Sequence, residues 1–311
     1  MTTPSTNVSV ALPVSQAIDR VKQMLFQPFD LNKWFIIGFC AWLAGLGEAG
    51  GHANFGNFAS HRDGANFQQQ FERVRSYVME NLYWILPLFV ALVVICFTVG
   101  VVMMWLSSRG KFMFLHCVAH DKAEVSEPWH KFARQGNSLF LFRLVLSLIG
   151  MFLMLPLVAL AVVAVIKMVH RGEADLPGIL TLVGIGLALI AVGLVFFILR
   201  KFTRDFVVPI MFLRGKKCLE AWREFRSLLS ANFGSFVLYL LFQLVLGMVI
   251  GTLVLVLILV TCCIAGCFLM IPYLGAVLLL PVSTFKRSYS LYYLAQYGGD
   301  YDVFQPVVAP A

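Results

Sequence analysis

Charged residues are scarce in this chain, at 13% of its 311 positions, about half the roughly 25% carried by an ordinary soluble domain. The long apolar runs have no Asp, Glu, Lys, Arg or His near their centres, and Glu48 and Arg143 sit toward the ends of theirs. Ion pathways and proton relays keep such groups within spans despite their cost. Their scarcity disfavours ion-coupled or proton-coupled transport, although uncharged polar groups and broken helices remain an alternative way to hold a substrate. GxSxG, P-loop, dinucleotide and HExxH patterns are missing as well, so no catalytic nucleophile, no cofactor and no zinc-protease centre is expected. The seven cysteines lack metal-ligand spacing and read as small hydrophobes. Cys262, Cys263 and Cys267 cluster in a turn expected outside the cytoplasm, which leaves one disulfide open there. Residues 1–30 lack the uninterrupted apolar core of a cleavable signal, so the first span itself is expected to target the chain.

What is present is hydrophobic: 60% of residues, with a mean hydropathy of +0.84. Six apolar runs, at about 31–50, 82–106, 139–167, 177–199, 233–260 and 264–285, approach or exceed the ~20 residues that cross a bilayer. The first is short and glycine-rich at its end, with a re-entrant segment as the alternative. Trp84 and Trp105 bound the second in the manner of an aromatic belt. Pro156 interrupts the third and Pro272 the sixth, and each removes a backbone donor. Gly247 with Gly251, and Gly184 with Ala188, have the small-residue spacing that lets membrane helices approach closely. The net charge of +8 lies beside these runs, where anionic headgroups account for it better than nucleic acid does.

The connector RKFTRDFVVPIMFLRGKKCLEAWREFRSLLS, residues 200–230, carries the organising pattern. Trp222, Phe225, Leu228 and Leu229 share one helical face, while Arg223, Glu224 and Arg226 take the other, with Lys216 and Lys217 just before. EPWHKFARQ, residues 127–135, repeats it: Trp129 and Phe132 are apolar, His130, Lys131 and Arg134 polar. QAIDRVKQML, residues 16–25, is a third copy without aromatics. Basic exits precede or close each unit: SSRGKFMFLHCVAHDK from Ser107, FTRDFVVPIMFLRGKK from Phe202 and FKRSYSLYYLAQYGGD from Phe285. The expected fold is therefore all-α and membrane-integral, with six transmembrane helices and cytoplasmic amphipathic helices. It divides into three repeats, about 15–110, 126–205 and 219–290, followed by a flexible tail over 297–311.

Nineteen Lys and Arg residues flank one side of the six runs, and only Arg62, Arg73, Arg75, Lys167 and Arg171 flank the other. The positive-inside rule then puts both termini in the cytoplasm of a bacterial inner membrane. The best metal candidate is His116, His120 and Glu124, one turn apart on a helix. With no further ligands in HCVAH, that stretch reads as a plain surface helix. His52, His61 and Asp63 fall in the polar loop GGHANFGNFASHRDGANFQQQ and read as loop residues.

The motifs LFQPFDLNKWFIIGFCAWLAGL, SSRGKFMFL and AEVSEPWHKFARQGNSLFLFRLV resemble an uncharacterised bacterial multi-pass family over nearly the whole chain. The alternation of amphipathic segment and paired spans is distantly similar to the membrane domain that accompanies glycerophosphodiester phosphodiesterases. That resemblance implies a membrane fold without the attached catalytic domain, and hence no phosphodiesterase activity. The function expected is non-enzymatic. Trp129, Phe132, Lys131, Arg134, Trp222, Phe225, Arg223, Arg226, Lys216 and Lys217 engage anionic lipid or a protein partner, a second copy included, in envelope or lipid homeostasis. A permease, or a membrane subunit of one, is the alternative.

Overall fold

The computed structural model describes residues 8–46, 76–77, 79–171, 176–261 and 264–304. The loop containing His52, His61 and Asp63, and the pair Cys262 and Cys263, lie outside the described residues. Among the described residues the secondary structure is entirely helical. In order they are α1 (Leu12–Val21), running on through a wide π turn (Lys22–Phe26), then α2 (Leu31–Gly45), α3 (Leu82–His120), α4 (Ser126–Lys131), α5 (Ala133–Arg171) and α6 (Leu176–Phe202). A second π turn (Thr203–Val207) leads to α7 (Val208–Arg214), followed by α8 (Cys218–Ala231), α9 (Phe233–Val260), α10 (Ile264–Met270), α11 (Pro272–Leu278) and α12 (Leu280–Ala295).

Four long helical stretches, Leu82–His120, Ala133–Met168, Leu176–Arg214 and Phe233–Val260, are long and apolar enough to cross a membrane. Their most hydrophobic windows are almost wholly uncovered by the rest of the chain, as expected of surfaces solvated by lipid tails rather than water. α3 has 39 residues, about 58 Å at 1.5 Å per residue, nearly twice a hydrocarbon core of about 30 Å. Its two halves differ accordingly. Residues 82–102 are exposed almost throughout, whereas Ser107, Ser108 and 110–118 are buried in a protein core.

That core forms at one end of the long helices. α2 runs antiparallel beside the buried half of α3: Lys33 pairs with Asp121 at 3.0 Å, Cys40 Sγ lies 3.9 Å from Cys117 Sγ, and Ser107 Oγ donates to the Ala44 carbonyl at 2.8 Å. Asp30 starts α2 by accepting from the Asn32 amide at 2.9 Å, a common N-cap bond. Gly110 allows the close approach, since a Cβ there would meet Ala44 N and Leu43 C at 2.7 Å. Arg143, the charge near the end of the third run, donates to Ser107 Oγ and Ser108 Oγ at 3.2 and 3.0 Å.

The six-span expectation is met by four long apolar helices. α2 has 15 residues, about 22 Å, and flanks the buried half of α3 rather than its exposed half. The sixth run is split into α10, α11 and the start of α12, because Pro272 and Pro281 each occupy a first-turn position, where their missing N–H is tolerated only as a helix begins. Within the 297–311 segment, Gly299–Tyr301 forms a 3₁₀ turn, Val303 is buried and Phe304 stacks on Tyr292 at 4.4 Å. Residues 305–311 lie outside the described part. Nothing in the described chain lies within 4 Å of a Cβ built on Gly184, Gly247 or Gly251, so those faces are open.

Candidate functional site

The three basic exits make the core. In the first, the buried half of α3, and in the second, the π turn with α7, the exit continues the preceding long helix instead of forming a separate segment; the third is α12. An amphipathic helix packs on each: α4 on the end of α3, α8 on the π turn and α7, and α1 on α12. Arg20 of α1 also reaches the end of α3, donating to the Val118 carbonyl at 2.8 Å and the Ala119 carbonyl at 3.0 Å. There it meets carbonyls without an intrahelical partner, at the negative end of the helix dipole.

Where the exits converge lies a cavity of about 220 Å³. Each exit contributes basic groups: Lys111 from α3, Arg204 from the π turn, and Lys286 with Arg287 from α12. Asp205 and Ser283 complete its polar lining, and Ala41 and Ala44 of α2 give it a small-residue wall. Lys111 and Arg287 are only 8% exposed.

Asp205 is engaged on several sides. Its Oδ2 lies 2.8 Å from Lys201 Nζ and accepts from Tyr239 Oη at 3.0 Å, while Oδ1 lies 3.4 Å from Arg204 Nε. Gln243 joins this group to α9, donating to Tyr239 Oη at 3.2 Å and accepting from Lys201 at 3.3 Å. Arg287 Nη1 donates to the Arg204 carbonyl at 2.6 Å, tying α12 to the π turn. Burial, and then the neighbouring Arg204 and Lys201, hold Lys286 below the usual range for a lysine.

The residues expected from the sequence divide by chemistry. Trp129, Phe132, Trp222 and Phe225 turn toward protein: Phe132 is 8% exposed and stacks on Phe212 at 4.7 Å. Phe225 is fully buried against Phe206 at 5.2 Å and Phe202 at 5.4 Å. Trp222 lies 6.0 Å from Phe142, and Trp129 packs edge-on against Trp105 at 5.9 Å. Their basic companions Lys131, Arg134, Lys216, Lys217, Arg223 and Arg226 stay exposed. The apolar face of each helix is thus covered by the chain itself, and the charged face is left outside.

His116 departs from the surface-helix expectation. It is 3% exposed, stacks on His120 at 4.4 Å, and lies between Phe132 and Phe212. Among the described residues no cluster of three or more His, Cys, Asp or Glu side chains is arranged to hold a metal ion. Sequence reasoning passed over Lys111, Arg204, Asp205, Lys286 and Arg287 as a group. The available signal was Asp205, an acid set close behind Arg200, Lys201 and Arg204 at the start of the connector.

No curated protein and no solved structure matches the chain. A family profile does, over residues 9–280, which takes in all three exits' approaches and the start of α12. The chain belongs to the Family of unknown function (DUF7544).

Proposed function

We propose that the chain is a non-enzymatic, multi-pass protein of a bacterial inner membrane that engages anionic lipid headgroups through the basic face of its cytoplasmic end, in envelope or lipid homeostasis. The observation that carries this reading is the division just described. Lys131, Arg134, Lys216, Lys217, Arg223 and Arg226 are exposed beside the apolar helices, while the aromatics of the same helices are used up in the core. Engagement is then by charge, with each basic residue near an anionic surface contributing about 1 kcal/mol, and not by aromatic insertion. Lys216 also pairs with Glu224 at 3.0 Å and Lys131 with Glu127 at 3.8 Å, but exposed pairs of this kind are weak and leave the residues available.

In this reading both termini are cytoplasmic and the chain crosses six times, with the broken run 264–285 as the last crossing. The three units of amphipathic helix, paired spans and basic exit are repeats. The pairing of one amphipathic helix with each exit supports this, including α1, which packs on the exit at the opposite end of the chain. The same alternation underlies the distant similarity to the phosphodiesterase-associated membrane domain.

The test is lipid retention. The purified protein in a mild detergent is examined by native mass spectrometry after exchange into mixed phosphatidylglycerol and phosphatidylcholine. The expected result is preferential retention of phosphatidylglycerol that falls when the six basic residues are changed to Gln and when salt is raised. Equal retention of both lipids by the native protein rejects the reading.

A permease, or the membrane subunit of one, is the second reading, and the charged cavity at the inner ends of the apolar helices favours it. Substrate uptake into proteoliposomes that is lost on altering Pro156 or Pro272 would establish it.

A further inference from the structure

We propose that the cavity where the three basic exits converge binds one phosphate group, the chemistry shared by a phospholipid headgroup and by free phosphate. The headgroup source rests on the lipid reading above, and the free anion does not.

The cavity, about 220 Å³, is larger than a single water needs, and it is polar on the sides that the exits form. Lys111, Arg204, Lys286 and Arg287 reach it from three separate helical segments. Its carboxylate, Asp205, is already held by Lys201, Arg204 and Tyr239. Lys286 is the informative member. Among the described residues its ammonium has no hydrogen-bond or ion-pair partner; burial, Arg204 and Lys201 disfavour its charge, and Asp205 offsets them only in part. A half-buried cation crowded by cations is costly, and an anion in the cavity relieves that cost. Donors arriving from several directions suit the oxygens of a tetrahedral phosphate better than the two coplanar oxygens of a carboxylate. Arginine contributes paired N–H donors and lysine a compact charge. The location also fits. Lys111 follows the apolar half of α3, Arg204 follows the apolar part of α6, and Lys286 follows the last apolar run, so the cavity lies at the depth where a headgroup sits beneath its acyl chains.

The experiment uses the full-length protein in a non-ionic detergent. Trace acylation with acetic anhydride, read residue by residue by mass spectrometry, reports the free-amine fraction of Lys286. Inorganic phosphate and short-chain phosphatidic acid are titrated separately at constant ionic strength, with chloride as the reference. A bound phosphate raises the ammonium's proton affinity, and each unit of that rise slows acylation about tenfold. The expected result is protection of Lys286, with exposed Lys22 unaffected. Lys286→Gln should weaken binding of the same probe, read by thermal shift, by about tenfold or more, and Lys22→Gln should not.

Protection by both probes supports the site without regard to source. Protection by phosphatidic acid alone makes it a headgroup site. Protection by inorganic phosphate alone makes it a soluble-anion site and removes the headgroup source, while the lipid-retention test of the exposed face stands separately. Acylation of Lys286 at the chloride rate with both probes overturns the proposal, as does unchanged binding by a folded Lys286→Gln protein.

Discussion

Arg109 and Trp129 face one another, with the guanidinium carbon 4.8 Å from the indole centroid, and Trp105, perpendicular to Trp129, lies 4.6 Å from the same carbon. The cluster stands where α3 passes from its exposed half to its buried half. Asn137 Oδ1 fastens it to α5, accepting from Trp105 Nε1 at 3.1 Å and from Arg109 at 3.3 Å. A guanidinium in the corner of two indoles keeps both ring contacts and its fork of donors to Asn137, which an ammonium does not reproduce. Arg109→Lys is expected to lower stability by about 1 kcal/mol, within the range of such contacts, and to change the tryptophan emission. Thermal unfolding in detergent and fluorescence together check it.

Gly110 offers a sharper steric test. An alanine there would drive its Cβ against the α2 backbone at 2.7 Å, and backbone cannot rotate away. Gly110→Ala should lower stability by about 1–3 kcal/mol, in the manner of an overpacked core. Gly247→Ala meets nothing within 4 Å in the described chain and should leave the melting temperature of the monomer unchanged. Melting curves of the two variants side by side decide the matter.

Asp205 should be among the least replaceable residues. Its carboxylate is 5% exposed and 2.8 Å from Lys201, itself 16% exposed. Removing one partner of a buried pair strands the other, at a cost of about 3–5 kcal/mol. Asp205→Ala is expected to approach that loss. Tyr239→Phe removes one hydrogen bond to the carboxylate and should cost about 1–3 kcal/mol. A double-mutant cycle with Lys201→Met measures the coupling directly.

Cys218 predicts a pH dependence. Burial raises its thiol from the ordinary 9.0 to about 12. The folded state therefore keeps a proton that the unfolded chain releases at lower pH. The stability this gives is complete below about pH 9 and is lost as pH climbs toward 12. Because the thiolate is the reactive form, iodoacetamide at pH 8 should modify Cys218 only as the protein unfolds, whereas exposed Cys267 should react in the native state. Peptide mapping over a denaturant series reads both.

The sequence made some of this legible, for identifiable reasons. Over 82–106, 139–167, 177–199 and 233–260 the helix is continuous, even through Pro87 and Pro156, so length and hydropathy suffice. The run at 264–285 has similar composition, but Pro272 and Pro281 break it into short helices, a local effect that an average over the window hides. The helical period correctly put Trp222 and Phe225 on one face, but period alone does not say what covers a face, and here Phe206, Phe202 and Phe142 do. His116 looked superficial because its neighbours were read as a connector, when they are the buried half of a 39-residue helix. Lys111, Arg204 and Lys286 are each more than 80 residues from the next in sequence, and each looks like one more flanking charge until the exits are brought together.

The contact between α1 and α12 has a consequence for how the molecule is made. Ser9 and Gln296 exchange two hydrogen bonds, at 2.9 and 3.0 Å, and Tyr289 Oη donates to the Val10 carbonyl at 3.0 Å. α1 therefore lacks its seat on α12 until Tyr289, 279 residues downstream of Val10, has been made. Until α12 is made, the side of α1 that packs on it must wait uncovered or be held by something else. Pairing of such distant segments is slow, so the docking of α1 on α12 is a late step of assembly.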